Sequence, residues 1–244
     1  MSRLMNIFSR AREAMKERRN FLLLIFFLCF LIFIAGGGLS QSEKWRITDV
    51  SVQGNAVIST EKILASASTV FDGNYYFVYS KKNSFIFPRT QIEQTLLFTY
   101  PELNTVSITK TGFHSIKIQV TERKPYALWC GETVPESGTP SQCYFIDHNG
   151  YLFNQAPMFS EGVYLEVYAG LDYVTEHDPL RARIKEKDFK ATEDIYENFK
   201  QKIAEPSKII IKSDDEILVV LNRPVEYQLL HGVEVRMSQS LSPA

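Results

Sequence analysis

What this sequence has little of is the material of catalysis. Its four histidines, His114, His148, His177 and His231, are dispersed along 244 residues. No His-Glu-x-x-His or Cys-x-x-Cys pairing offers a metal the usual donor spacing. There is no Gly-x-Ser-x-Gly, and the one glycine run, Gly36 to Gly38, follows no strand and precedes no Lys-Ser/Thr, so it is not a phosphate loop. We therefore expect no catalytic residue, no metal ligand, no cofactor and no small-molecule substrate. The carboxylates Asp172, Glu176 and Asp178 gather around His177, but they read as a solvated loop in which Asp178 caps a helix started by Pro179.

Cysteine is nearly as scarce, at three residues. Cys29 lies in an apolar run and behaves there as a small hydrophobe. Cys130 and Cys143 flank the turn-rich segment GETVPESGTPSQ between two strand-like runs. Across a hairpin they would meet at the Cα spacing of about 5.5 Å that a disulfide needs. Closing that loop would stabilise the fold by roughly 3 kcal/mol in the chain-entropy model. The alternative is a pair of free buried thiols in a reducing setting.

Net charge is also small, −1, but its distribution is uneven. Residues 1–20 hold Arg3, Arg10, Arg12, Lys16, Arg18 and Arg19 against Glu13 and Glu17, which leaves the remainder at −5. A mildly acidic remainder argues against nucleic acid as partner. Between the basic leader and the next basic residues, Lys44 and Arg46, lies FLLLIFFLCFLIFIAGGGL, residues 21–39 without a charge. At 1.5 Å per residue this run spans about 28 Å, the thickness of a bilayer core. The positive-inside rule keeps the N-terminus cytoplasmic. A cleaved signal peptide with a small-residue site at Ala35 to Gly37 is the rival reading. Leu4, Ile7, Phe8, Ala11 and Met15 recur at helical spacing, so the leader is either a surface-lying amphipathic helix or a disordered basic tail.

Beyond the anchor, Ile47, Val50 and Val52 alternate with polar residues up to Gly54-Asn55, a strand and its turn. Ser59 or Thr60 then caps a short helix bearing Ile63, Leu64 and Ala67. The stretch FDGNYYFVYSKKNSFIF reads as a loop whose rings Tyr75, Tyr76, Phe77, Tyr79, Phe85 and Phe87 supply core bulk. Pro88 opens a second helix, and two alternating strands follow, LNTVSITKT and HSIKIQVTERKP. Glu122 and Arg123 alternate across the last strand, solvated or loosely paired, and are worth under ~1 kcal/mol if exposed. Residues 44–123 thus read as strand, helix, helix, strand, strand, with both helices on one face of the sheet.

Three features carry a resemblance: I-x-x-V-x-V-x-G-N at Ile47 to Asn55, Pro101 ahead of a Val-x-Ile strand, and above all Val120-Thr121-Glu122-Arg123-Lys124-Pro125-Tyr126-Ala127. They resemble the POTRA domain of the FtsQ/DivIB cell-division proteins. The run Cys143 to Phe153, with its Asp-His-Asn-Gly turn, is similar to that family's entry into its second domain. The resemblance implies an α+β chain: a cytoplasmic basic tail (1–20), a single transmembrane helix (21–39), a POTRA-like βααββ domain (44–123), a second mostly β domain with one packed helix (124–232) and a C-terminal tail (233–244). In that second domain, strands begin near Pro125, a helix runs from Pro179 to Pro206, and three strands follow, at 208–212, 216–221 and 225–230.

The function implied is a non-enzymatic divisome scaffold in the bacterial cytoplasmic membrane at the septum. It would hold small bitopic division proteins of the FtsB and FtsL kind outside the cytoplasm and couple them to the septal synthase machinery. In the family the partner adds to the last strands, which places the binding residues at Ile217, Val219, Leu221, Val225, Tyr227 and Leu229. A POTRA-type translocation or assembly module, and a cell-wall enzyme, are the alternative classes.

Overall fold

The computed structural model describes residues 2–135, 142–160, 162–172, 178–202, 204–212, 216–221 and 234–238, and of residues 2–14 and 17 and of 234–238 the backbone only. By contact the chain divides into two compact units, residues 1–96 with 106–120, and residues 97–105 with 121–244.

The first unit begins with α1 (Ser2–Ser40), a single helix that continues the basic leader into the apolar run. Its stretch Arg18–Ser40 is long and apolar enough to cross a membrane. The βααββ order then follows as β1 (Asp49–Gln53), α2 (Thr60–Phe71), α3 (Arg89–Thr99), β4 (Leu103–Lys110) and β5 (Ser115–Glu122). Between the helices sits an additional small hairpin, β2 (Asn74–Tyr75) and β3 (Tyr79–Ser80).

Local chemistry accounts for the boundaries. The Ser59 side chain accepts from the Lys62 N–H at the start of α2, and α3 starts directly after Pro88, a residue that tolerates helix starts because it has no N–H to lose. The sheet order is β1-β5-β4, with β1 parallel to β5. Alternation in β5 buries Ile116, Ile118 and Val120, and the opposing helices bury Ile63, Ala67, Val70 and Phe71 of α2 and Ile92 and Leu96 of α3. Gly54 ends β1 at φ +91°, where a Cβ would stand 2.1 Å from the Val120 carbonyl oxygen. No side chain fits there, which is the physical content of the glycine in the V-x-G-N run.

The second unit is built on a seven-stranded sheet. Its strands are β6 (Ala127–Trp129), β7 (Cys143–Ile146), β8 (Leu152–Ala156), β9 (Glu166–Tyr168), β10 (Pro206–Ile211), β11 (Glu216–Leu221) and β12 (Glu234–Ser238), in the order β12-β11-β10-β9-β6-β7-β8. The helix α4 (Glu186–Lys202) turns Phe189, Thr192 and Phe199 into the interior. Phe189 and Phe199 join Ile146, Val167, Ile209, Ile211, Ile217 and Val219 in one apolar cluster. The opposite face carries a second cluster, Leu128, Cys130, Ala156, Tyr168 and Ile210. Cys130 and Cys143 are joined by a disulfide across the β6–β7 pair, with Cα atoms 4.2 Å apart.

Two expectations are corrected here. The helix begins at Glu186, not at Pro179. Asp178 does accept from the Leu180 N–H at 2.9 Å, but residues 181–184 spend their backbone groups elsewhere. Arg181 donates to the Leu152 carbonyl, Ile184 donates to that of Gly150, and the Ala182 and Arg183 carbonyls accept from Leu152 and Asp172. Backbone committed to such bridges cannot also make a helical ladder. The segment expected as a C-terminal tail, 233–244, contains β12; the strand expected at 225–230 lies outside the described residues.

Candidate partner-binding edge

A sheet binds an extended segment through an unpaired edge, so the question is which edges are open. At β8 the edge is closed where it begins. The Leu152 N–H donates to Ala182 and its carbonyl accepts from Arg181. Further along, the Gln155 N–H is directed onto the Asn154 side-chain oxygen at 2.9 Å, and a register shift at Phe145/Ile146 interrupts the pairing. Native edges are commonly blunted by such means.

At the other end, β12 pairs antiparallel with β11 over five positions, from Glu216↔Ser238 to Val220↔Glu234. Among the described residues no strand lies beyond β12. In an antiparallel strand the N–H and C=O of each residue point to the same side, and the side alternates along the chain. Every second residue of β12 therefore directs both groups outward.

The expected binding residues fall into two groups. Ile217, Val219 and Leu221 are 3%, 0% and 7% exposed, buried in the cluster beneath α4. The β11 backbone is taken on one side by β10 and on the other by β12. These three side chains pack into the sheet's own interior and help hold the strand in place. Val225, Tyr227 and Leu229 lie outside the described residues. The alternation Val233, Val235, Met237 is the sequence signal for β12 within the segment expected as a tail.

The opposite face of β9–β11 carries a polar group within its apolar surroundings. Lys208 pairs with Glu166 at 3.4 Å, and the Tyr168 hydroxyl donates to Glu166 at 3.2 Å. Burial, followed by the neighbouring Glu166 charge, pushes the Tyr168 phenol well above its ordinary range, so it stays a donor. The arrangement fixes side chains and offers no nucleophile. Among the described residues no group of three or more His, Cys, Asp or Glu is placed to hold a metal ion. His114 is hydrogen-bonded to the Arg46 carbonyl at 2.9 Å, and His148 lies against the Tyr126 ring. His177, Glu176 and His231 lie outside the described residues.

A βααββ unit with this strand order, set immediately after an apolar helix, meets a known domain type: residues 45–123 match the family model described as POTRA domain, FtsQ-type. The chain carries an FtsQ-type POTRA domain. That supports an FtsQ/DivIB family protein. No curated protein matches the chain.

Within the POTRA domain one free edge is partly closed, because the Glu93 carboxylate accepts from the Ile108 N–H of β4 at 2.9 Å. The aromatic stretch does not behave as core bulk throughout. Phe87 is half-buried and stacked on Phe71, and Tyr75 and Tyr79 are half-buried in the hairpin, but Tyr76, Phe77 and Phe85 are exposed. A two-stranded hairpin has no inner face large enough to take six rings.

At the junction that follows the POTRA domain, Arg123 is not solvated. Its guanidinium pairs with Asp147, the two side chains being 12% and 8% exposed. It also donates to the Pro101 carbonyl at 3.1 Å and lies over the Tyr151 ring at 4.1 Å. Asp147 in turn accepts from the Asn149 and Tyr151 N–H groups at 2.8 and 3.0 Å, closing the Asp-His-Asn-Gly turn. Sequence spacing gives no sign of a pair between residues 123 and 147.

Proposed function

We propose that this protein is a bitopic, non-enzymatic scaffold of the cell-division machinery. Its N-terminus is cytoplasmic, its α1 helix anchors it in the bacterial cytoplasmic membrane at the septum, and its POTRA and β domains lie outside the cytoplasm. There it holds small bitopic division proteins of the FtsB and FtsL kind by strand addition to the outer edge of β12, and so couples them to septal cell-wall synthesis. The observation that carries this reading is the FtsQ-type POTRA domain directly after a single apolar helix. The mode of binding is supported by the contrast between a blunted β8 edge and a β12 edge beyond which no strand lies among the described residues.

Removing residues 225–244 takes away β12 and everything beyond it. Co-purification of the small bitopic partners with the shortened chain should then be lost, while unchanged co-purification would refute the placement.

A further inference from the structure

The tip of the β2–β3 hairpin holds Tyr76 and Phe77 at φ 48° and 66°. A turn that needs positive φ takes glycine or asparagine readily, whereas bulky rings are outliers there. These two are also 80% and 94% exposed, so neither turn chemistry nor the domain core accounts for them. What the hairpin does touch is α1. The Phe33 ring lies 6.4 Å from Tyr76 and 5.0 Å from Tyr79, and the Tyr79 hydroxyl donates to the Phe33 carbonyl at 3.0 Å.

The glycine run of α1 makes this approach possible. A Cβ on Gly37 would fall 2.7 Å from the Val78 Cβ, and one on Gly36 would fall 2.9 Å from the Tyr79 hydroxyl oxygen. At the base of the hairpin, Ser80 N–H donates to Ser40 Oγ and Asn83 Nδ2 to the Ser40 carbonyl, both at 3.0 Å, and Gln41 Nε2 donates to the Val78 carbonyl at 3.1 Å. The hairpin is thus fastened along the last turns of the apolar helix.

Phe33 lies within the apolar stretch Arg18–Ser40, about 10 Å along the axis before its end at Ser40. The polar border of a bilayer is roughly 5–8 Å deep on each side. With residues 21–39 spanning the hydrocarbon core, a ring packed on Phe33 stands about 9 Å inside that core's near boundary, among the upper acyl chains. We infer that the β2–β3 hairpin is seated in the membrane interface on the domain's own side, with Tyr76 and Phe77 against the upper acyl chains. Tyr75 and Lys81, whose ammonium lies 5.8 Å over the Tyr75 ring, stand at headgroup level. Aromatic rings with a polar tip are the residues that partition to this zone. The occupant of the exposed rings is lipid, because the helix segment they flank is itself the part surrounded by lipid. The POTRA domain is consequently held at a fixed height and rotation on the membrane. This inference rests on α1 spanning the bilayer, and its test separates the two.

In a full-length Cys29→Ser chain, inserted one per lipid nanodisc of phosphatidylcholine and phosphatidylglycerol, a nitroxide is placed by Phe77→Cys, Phe27→Cys or Val57→Cys. Val57 is 82% exposed. Collision with oxygen, which concentrates in lipid, is compared with collision with a water-soluble nickel chelate. The label at 77 is expected to favour oxygen as the label at 27 does, and the label at 57 to favour nickel. Adding Gly37→Leu should move the label at 77 to the pattern of 57 and leave 27 unchanged. A label at 77 that favours nickel, or is shielded from both reagents, while 27 remains in lipid overturns the hairpin inference alone. A label at 27 that favours nickel overturns the membrane span and the inference with it.

Discussion

Proline at Val235 and proline at Arg236 are each expected to weaken partner binding about tenfold to hundredfold, yet only one of the two should destabilise the fold. The two residues are neighbours in β12, paired with Val219 and Leu218, so their N–H groups point to opposite sides of the strand. One donor belongs to the β11–β12 ladder; the other faces the open edge. Proline removes either donor and leaves the facing acceptor without a partner. An unmade backbone hydrogen bond costs on the order of 1–3 kcal/mol, and each 1.4 kcal/mol is about tenfold in Kd. The outward-facing position should lose binding with an unchanged melting temperature. The inward-facing position should lose both, because β12 itself is loosened. Titration calorimetry with the partner and thermal unfolding of the same two variants separate the cases. If both bind normally, partner addition at this edge is ruled out.

Replacing Arg123 by alanine is expected to lower stability by about 3–5 kcal/mol, the usual cost of breaking a buried ion pair by removing one partner. The reason lies in what stays behind. Asp147 keeps its two turn N–H donors, but its negative charge, nine-tenths buried, loses the guanidinium that balanced it. The Pro101 carbonyl loses its contact with the guanidinium, and the Tyr151 ring loses the cation above it. At about 2–4 °C per kcal/mol for a chain of this size, the melting temperature should fall by roughly 6–20 °C in a thermal scan. Arg123→Lys should recover only part of this, since an ammonium cannot reproduce the planar fork. A loss below about 1 kcal/mol would mean that the pair behaves as a solvated one.

Much of the architecture was legible in the residues because local rules and tertiary packing agree. The apolar run, the Ser59 cap, Pro88 at a helix start and the strict alternation of Ile116, Ile118 and Val120 each say the same thing at two levels. The hairpin cysteines belong to this group, since residues flanking a turn between strands end up opposite each other. What was illegible depends on contacts distant in sequence. The pairing of Arg123 with Asp147 is set by the path of the chain, not by spacing. The start of α4 is illegible because the Asp178-Pro179 signal competes with backbone bridges to Gly150, Leu152 and Asp172, and the bridges win. The burial of the β11 side chains is illegible for a simpler reason. Alternation identifies the two faces of a strand but not which of them is covered, and Ile217, Val219 and Leu221 lie in the buried cluster that Phe189 and Phe199 of α4 join. A loop over a small sheet calls for aromatic bulk, but residue type does not say which rings are covered, and Tyr76 and Phe77 are exposed.

A protein that acts at the division site must gather there while the cell divides. A fluorescent fusion to the full chain, followed through the cell cycle, is predicted to collect in a ring at midcell before constriction and to disperse after separation. Uniform signal around the membrane throughout the cycle would contradict the account.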